Sequence, residues 1–116
     1  MKRTLTAIVL ALLGGCASTP VPAEKMASSQ AAIRASEEAG AKQVPSAALH
    51  MQLAREQMEQ AKQLIGKGKN DRAKSFLMRA EADAELALAL TREHATQVDA
   101  QRALTEVHDL QQKIQN

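Results

Sequence analysis

The chain has 116 residues, 45% of them hydrophobic, with one phenylalanine, one cysteine and neither tyrosine nor tryptophan. That length holds one domain, and an all-helical domain of this size lacks the enclosed volume that most enzyme substrates need. Fifteen basic against thirteen acidic residues leave a formal net charge of +2, and the excess equals the two cations at the very front, Lys2 and Arg3.

Met1-Lys2-Arg3 is a basic start, and Leu5 to Leu13 is an apolar run about half as long as the roughly 20 residues that cross a bilayer. Small residues follow, as in a signal peptide. The run ends Leu13-Gly14-Gly15-Cys16, which resembles the lipobox of bacterial lipoproteins. The resemblance implies that residues 1–15 are a cleaved lipoprotein signal peptide. It also implies that the Cys16 sulfur is the lipidation site and that the new amine is acylated, by palmitate or a similar chain. Ala17 stands where an Asp would signal retention at the inner membrane, so the implied place is the periplasmic face of the cell outer membrane. Two or three acyl chains supply the double anchor that stable attachment needs. A buried free cysteine packed as a small hydrophobe is the alternative reading. Cleavage removes Lys2 and Arg3, which leaves thirteen bases against thirteen acids. Nucleic acid then loses its main support as a partner. A lipidated Cys16 leaves no thiol for a disulfide or a metal, so packing alone must hold the fold.

Residues 16–22 read as the lipidated N-terminus and a tether, whose six residues Ala17 to Pro22 reach roughly 20 Å when extended. From 23 to 116 the composition is rich in Ala, Gln, Glu, Lys, Arg and Leu, all good helix formers. A first helix spans about 23–39, with Pro22 suited to a first-turn position and Gly40 to a left-handed C-cap. Its apolar stripe is thin: Met26, Ile33 and Gly40, filled in with alanines. A second helix spans about 46–65, with Ser46 as its N-cap. Ala47, Met51, Ala54, Met58, Ala61 and Ile65 alternate in steps of four and three, and Leu49, Leu53 and Leu64 widen the stripe. Gly66 and Gly68 supply the turn that follows.

A third helix, about 70–115, meets no glycine or proline and is roughly 65–70 Å long at 1.5 Å per residue. It carries two apolar stripes, Leu77, Ala80, Ala84 and Ala87 beside Ala82, Leu86, Ala89 and Leu90, so each of the other helices is expected to cover one. The expected fold is all-α: an antiparallel three-helix unit with a long, extended third helix. The end of that helix has a further stripe, Ala100, Ala103, Val107, Leu110 and Ile114, in the a/d spacing of a coiled coil. With no partner inside the chain, it is a candidate surface for self-association or for another envelope protein. A frayed, solvated helix end is the alternative.

The segment "GKGKNDRAKSFLMRAEADAELALA", with Pro45, Leu49 and Ala61 upstream, resembles the bacterial envelope proteins grouped as domain-of-unknown-function family 4398. The features that match are Pro45, Ala61, the glycine turn, Ala73, Ala80 and the run Ala82-Asp83-Ala84-Glu85-Leu86-Ala87. An aromatic is common where Asn70 stands. The resemblance covers about Ala23 to Thr91 and implies an α-helical envelope lipoprotein; it brings no catalytic residues. Ala61, Leu64, Ala73, Leu77 and Ala80 are also similar to one tetratricopeptide unit, in which two antiparallel helices cross closely. Gln57 and Gln60 replace that unit's aromatic and leucine, so the likeness concerns hairpin geometry alone.

Residues for chemistry are sparse. His50, His94 and His108 form no His-x-x-x-His pair, and His94 falls on an apolar stripe between Ala87 and Val98, as a packed or half-exposed imidazole would. Glu37-Glu38 and Asp83 with Glu85 read as solvated acids or i,i+4 partners of Arg and Lys. No nucleophile elbow, phosphate loop or dinucleotide turn occurs. No catalytic residue, cofactor or metal site is assigned, and the chain is expected not to be an enzyme. Lys62, Lys67, Lys69, Arg72 and Lys74 gather at the second turn. They complement a helix end and, because helix two runs back toward an anchored N-terminus, are also expected to face the membrane, where anionic lipid attracts basic side chains. The expected function is an outer-membrane-anchored periplasmic lipoprotein acting as a structural or protein-interaction module. The alternative is a ligand-binding or sensing accessory of the cell envelope.

Overall fold

A computed structural model describes residues 19–115. Three helices, α1 (Ala23–Glu38), α2 (Pro45–Gly66) and α3 (Asn70–Gln115), carry the fold, with one turn of 3-10 helix at Ala41–Gln43 between the first two. No strand occurs among the described residues. The all-α, three-helix arrangement with a long third helix is the one expected. At 46 residues, α3 is about 69 Å long. Residues 1–18, which include the expected signal peptide, Cys16 and the first part of the expected tether, lie outside the described residues.

The helix ends follow from a few residues. Gly40 has φ 87°, and its amide reaches the Glu37 carbonyl at 3.0 Å, so it ends α1 as expected. Ser46, expected as the N-cap of α2, lies inside the first turn. Val44 holds the cap position in extended conformation, and its carbonyl accepts from the amides of Ala47 and Ala48, both at 2.9 Å. Pro45 explains the shift: its fixed φ and missing N–H suit the first helical residue, and it forces the residue before it out of the helical region. At the far end of α2, the Lys69 amide bonds the Leu64 carbonyl at 2.8 Å and the Gly68 amide bonds the Ile65 carbonyl at 2.9 Å. This is a Schellman closure. Gly68, at φ 68°, is the residue the turn requires, whereas Gly66 is an ordinary helical residue.

Met51, Leu77 and eight alanines make up most of the buried apolar core. Ala47, Met51, Ala54, Met58 and Ala61 of α2 face Ala73, Leu77, Ala80, Ala84 and Ala87 of α3 in antiparallel register. Small residues at these positions let the two backbones approach closely. Helix α1 runs parallel to α3, and its contact is polar at the centre. Ser29 and Ser36, both fully buried, lie seven residues apart. Their hydroxyls reach the carbonyls of Leu77 at 2.8 Å and Ala84 at 2.5 Å, while also lying within bonding distance of carbonyls one turn back in α1. Met26 and Ile33 flank this seam.

One expectation about α3 fails. Ala82, Leu86 and Ala89, read as a second buried stripe, are exposed, and Leu90 alone of that set is partly covered. The alanine and serine contacts are narrow enough for α1 and α2 to share one face of α3, on either side of the Leu77, Ala80, Ala84, Ala87 line. The opposite face stays bare.

Candidate functional site

The turn between α2 and α3 presents Lys67, Lys69, Arg72 and Lys74, all exposed; Lys62, one turn back on α2, pairs with Glu59 at 2.6 Å. The sequence placed these five together, and the fold keeps them at one end of the bundle. The N-terminal end of the described chain also lies there. The Thr19 hydroxyl donates to the Asp71 carboxylate at 2.9 Å, and the Asn70 side-chain amide donates to the Thr19 carbonyl at 2.5 Å. Residues from Thr19 to Lys25 and Lys74 line a surface hollow of about 310 Å³ beside this contact.

The second candidate surface is the projecting part of α3. Thr91 is the last buried residue, and Val98 is partly covered; from Asp99 to Gln115 every residue is exposed. The expected stripe of Ala100, Ala103, Val107, Leu110 and Ile114 is therefore bare, with Ile114 at 84% and Val107 and Leu110 both at 52% exposure. Leu104, not part of that expected stripe, is 65% exposed and widens it. On an α-helix these positions lie on the same side as Ala82, Leu86 and Ala89, so one apolar face runs up the back of α3, interrupted at Glu93 and Thr96.

Polar contacts between helices are few and specific. Asp83 of α3 joins two α2 side chains, His50 Nδ1 at 2.9 Å and Gln57 Nε2 at 2.7 Å. The Gln57 Oε1 atom is buried without a partner. Lys25 pairs with Glu81 at 2.8 Å, and Arg55 pairs with Glu37. The hydrogen bond from Lys25 holds the Glu81 carboxyl below the ordinary carboxylate range and lifts Lys25 above the usual ammonium range. The Arg55 hydrogen bond likewise lowers Glu37. His94, expected to be packed or half-exposed, is exposed, because α1 and α2 have both ended before it. His108, also exposed, lies within hydrogen-bond distance of Gln112 of its own helix, at 3.0 Å. Among the described residues no three His, Cys, Asp or Glu side chains group as a metal site. A shallow groove of about 290 Å³ between α1 and α2, lined by Ile33, Arg34, Arg55 and Met58 among others, opens to solvent.

Residues 24–105 match the family described as Domain of unknown function (DUF4398). The chain belongs to that family. No curated protein and no solved structure matches it. The DUF4398 pattern takes in all three helices and continues to Thr105, fourteen residues past the last buried position of α3. The projecting helix is thus partly inside the family's domain.

Sequence reasoning missed three features of this DUF4398 domain. The serine seam of α1 was not singled out, the stripe there being read as Met26, Ile33 and Gly40 filled in with alanines; its signal was the seven-residue spacing of Ser29 and Ser36. The Asp83 junction read as a solvated acid or an i,i+4 partner of Arg or Lys, although His50 and Gln57, seven residues apart, share a face of α2 and both reach it. The docking of Thr19 on Asn70 and Asp71 had no signal, because it joins residues about fifty positions apart.

Proposed function

We propose that this DUF4398 domain is an outer-membrane-anchored periplasmic lipoprotein that works as a non-enzymatic interaction module. Acylated Cys16 holds it to the membrane, and the bare face of α3 meets a protein partner. The observation that carries the proposal is the position of Thr19. It lies three residues after Cys16 and is bonded to the start of α3, beside Lys67, Lys69, Arg72 and Lys74. An anchor at Cys16 is within about 10 Å of chain from Thr19, so the basic turn sits at the anchored end and α3 runs away from it. Basic side chains at that end suit anionic lipid, at about 1 kcal/mol for each Lys or Arg near the surface. The apolar side chains exposed from Ala100 to Ile114 support a protein-contact role.

The test is the mass of the mature protein from a bacterial envelope fraction. The proposal requires an N-terminus at Cys16 carrying acyl groups, recovered with the outer membrane, and release or mislocation of a Cys16→Ser chain. A mature N-terminus elsewhere, or an unmodified Cys16, overturns the anchoring.

A further inference from the structure

The bare face of α3 matches a second copy of itself when the two helices run antiparallel. Consider α3 of two chains placed back to back so that residues whose numbers sum to 196 are level. Leu110 then meets Leu86 of the second copy, Val107 meets Ala89 and Ile114 meets Ala82, so the bulky side chains of one end fall on small or matching ones of the other. Leu104 comes beside Leu90, whose remaining exposure this contact covers. Along the other edge of the seam Glu106 lies opposite Arg92 and Lys113 opposite Glu85, all four of which are exposed. By two-fold symmetry each contact occurs twice; the axis crosses at the level of residue 98, and the two Gln97 side chains lie next to each other beside it. One like-charge contact results, Asp99 near Asp99, and each of these already holds Arg102 at 3.4 Å. Helices α1 and α2 lie on the opposite side of α3 and do not obstruct the pairing.

A parallel arrangement fits worse. It sets Glu93 against Glu93 inside the seam and leaves Leu90 and Leu104 beside Glu85 and Asp99 of the other chain. Edge charges then oppose no charge of opposite sign. Pairing of edge charges and matching of large to small side chains are what select register and orientation in helical seams.

We infer that the partner of the α3 face is a second copy of this chain, docked antiparallel over residues 82–114 with the two Gln97 side chains beside the two-fold axis. The inference rests on the reading of that face as a contact surface. The overlap is about 50 Å long, and the two basic turns stand about 80 Å apart at opposite ends of the pair. Anchors at both ends lay the pair along the membrane surface.

The test uses the full chain with Cys16→Ser, so that each added cysteine is the only thiol. Leu86, Arg92, Gln97, Glu106 and Leu110 are all exposed, and folding is checked by helicity. With a short bis-maleimide crosslinker, Gln97→Cys gives a covalent dimer, and a mixture of Leu110→Cys and Leu86→Cys chains gives the mixed dimer. Leu110→Cys alone gives none, because its two thiols are about 36 Å apart. Arg92→Glu raises the dimer Kd about tenfold, and adding Glu106→Arg restores it to within about threefold. Self-crosslinking of Leu110→Cys, or a charge swap that fails to rescue, overturns the antiparallel register. Absence of any dimer overturns self-association; trapping of a different protein by the same face in cells then decides the interaction-module reading separately.

Discussion

Replacing Ser29 and Ser36 by leucine should separate α1 from α3. Each serine is fully buried, and each hydroxyl oxygen lies 2.8 or 2.5 Å from a carbonyl of α3. A leucine Cγ occupies about the place of that oxygen, yet carbon approaches a carbonyl oxygen only to about 3.3–3.6 Å. The helices must therefore part by roughly 0.5–1 Å, enough to forfeit a quarter to a half of each dispersion contact along the seam. Overpacking of this kind costs about 1–3 kcal/mol per site, and the lost hydrogen bond adds about 1 kcal/mol. The double variant thus loses roughly 4–8 kcal/mol, comparable to the whole stability of a small domain. Alanine at either site removes only the hydroxyl, because both carbonyls keep their helical N–H partners, and should cost about 1 kcal/mol. Urea unfolding followed by helicity gives these numbers. Hydrogen exchange shows whether α1 opens first while the α2–α3 hairpin keeps its protection. A double leucine variant within about 0.5 kcal/mol of the parent would refute the close serine seam.

Further outcomes follow from other residues. Gly66→Ala should stabilise by up to about 1 kcal/mol, since nothing lies within 4 Å of an added Cβ; Gly68→Ala, at φ 68°, should destabilise, and equal urea midpoints would contradict the Schellman closure. Glu37 and Glu81 have lowered carboxyl pKa values, so their contribution is present above the ordinary value of 4.5 and is lost as pH falls through the folded values. Lys25 behaves in the opposite sense: its contribution holds below 10.5 and is lost at higher pH. The urea midpoint should therefore fall modestly below about pH 4.5, less so in a Glu37→Gln, Glu81→Gln variant; an identical acid profile for the two chains would show that these pairs do not couple to folding. Charge reversal of Lys67 and Lys69 should weaken binding of the Cys16→Ser chain to anionic vesicles at least about thirtyfold, from about 1 kcal/mol per cation. Unchanged partitioning at low salt would remove the membrane-facing role of the turn.

The fold was readable where apolar spacing is regular. Ala47, Met51, Ala54, Met58 and Ala61 on one side and Ala73, Leu77, Ala80, Ala84 and Ala87 on the other define the hairpin, because only helices that cross closely need alanine at such intervals. The glycine at 40 and the glycine pair at 66 and 68 marked both turns, but spacing alone does not tell which glycine of a pair takes positive φ. Helix α1 was less legible, since a helical serine can bond the carbonyl one turn back in its own helix, as Ser29 and Ser36 do, and nothing local shows that carbonyls of another helix, 48 positions away, also lie opposite. The two stripes of α3 were legible as stripes; which of them is covered depends on how narrow the serine seam is. Of the candidate site residues, the basic turn and the Ala100 to Ile114 stripe could be read from the sequence. Leu104 and the docking of Thr19 needed the folded chain.

Whether the bare face of α3 is a contact surface in the cell is best measured by placing a photocrosslinking residue singly at 103, 107 and 110, and at 102 and 109 on the opposite face. Covalent adducts from the first three positions and monomer from the other two are the predicted result. Monomer from all five, or adducts regardless of face, would contradict it.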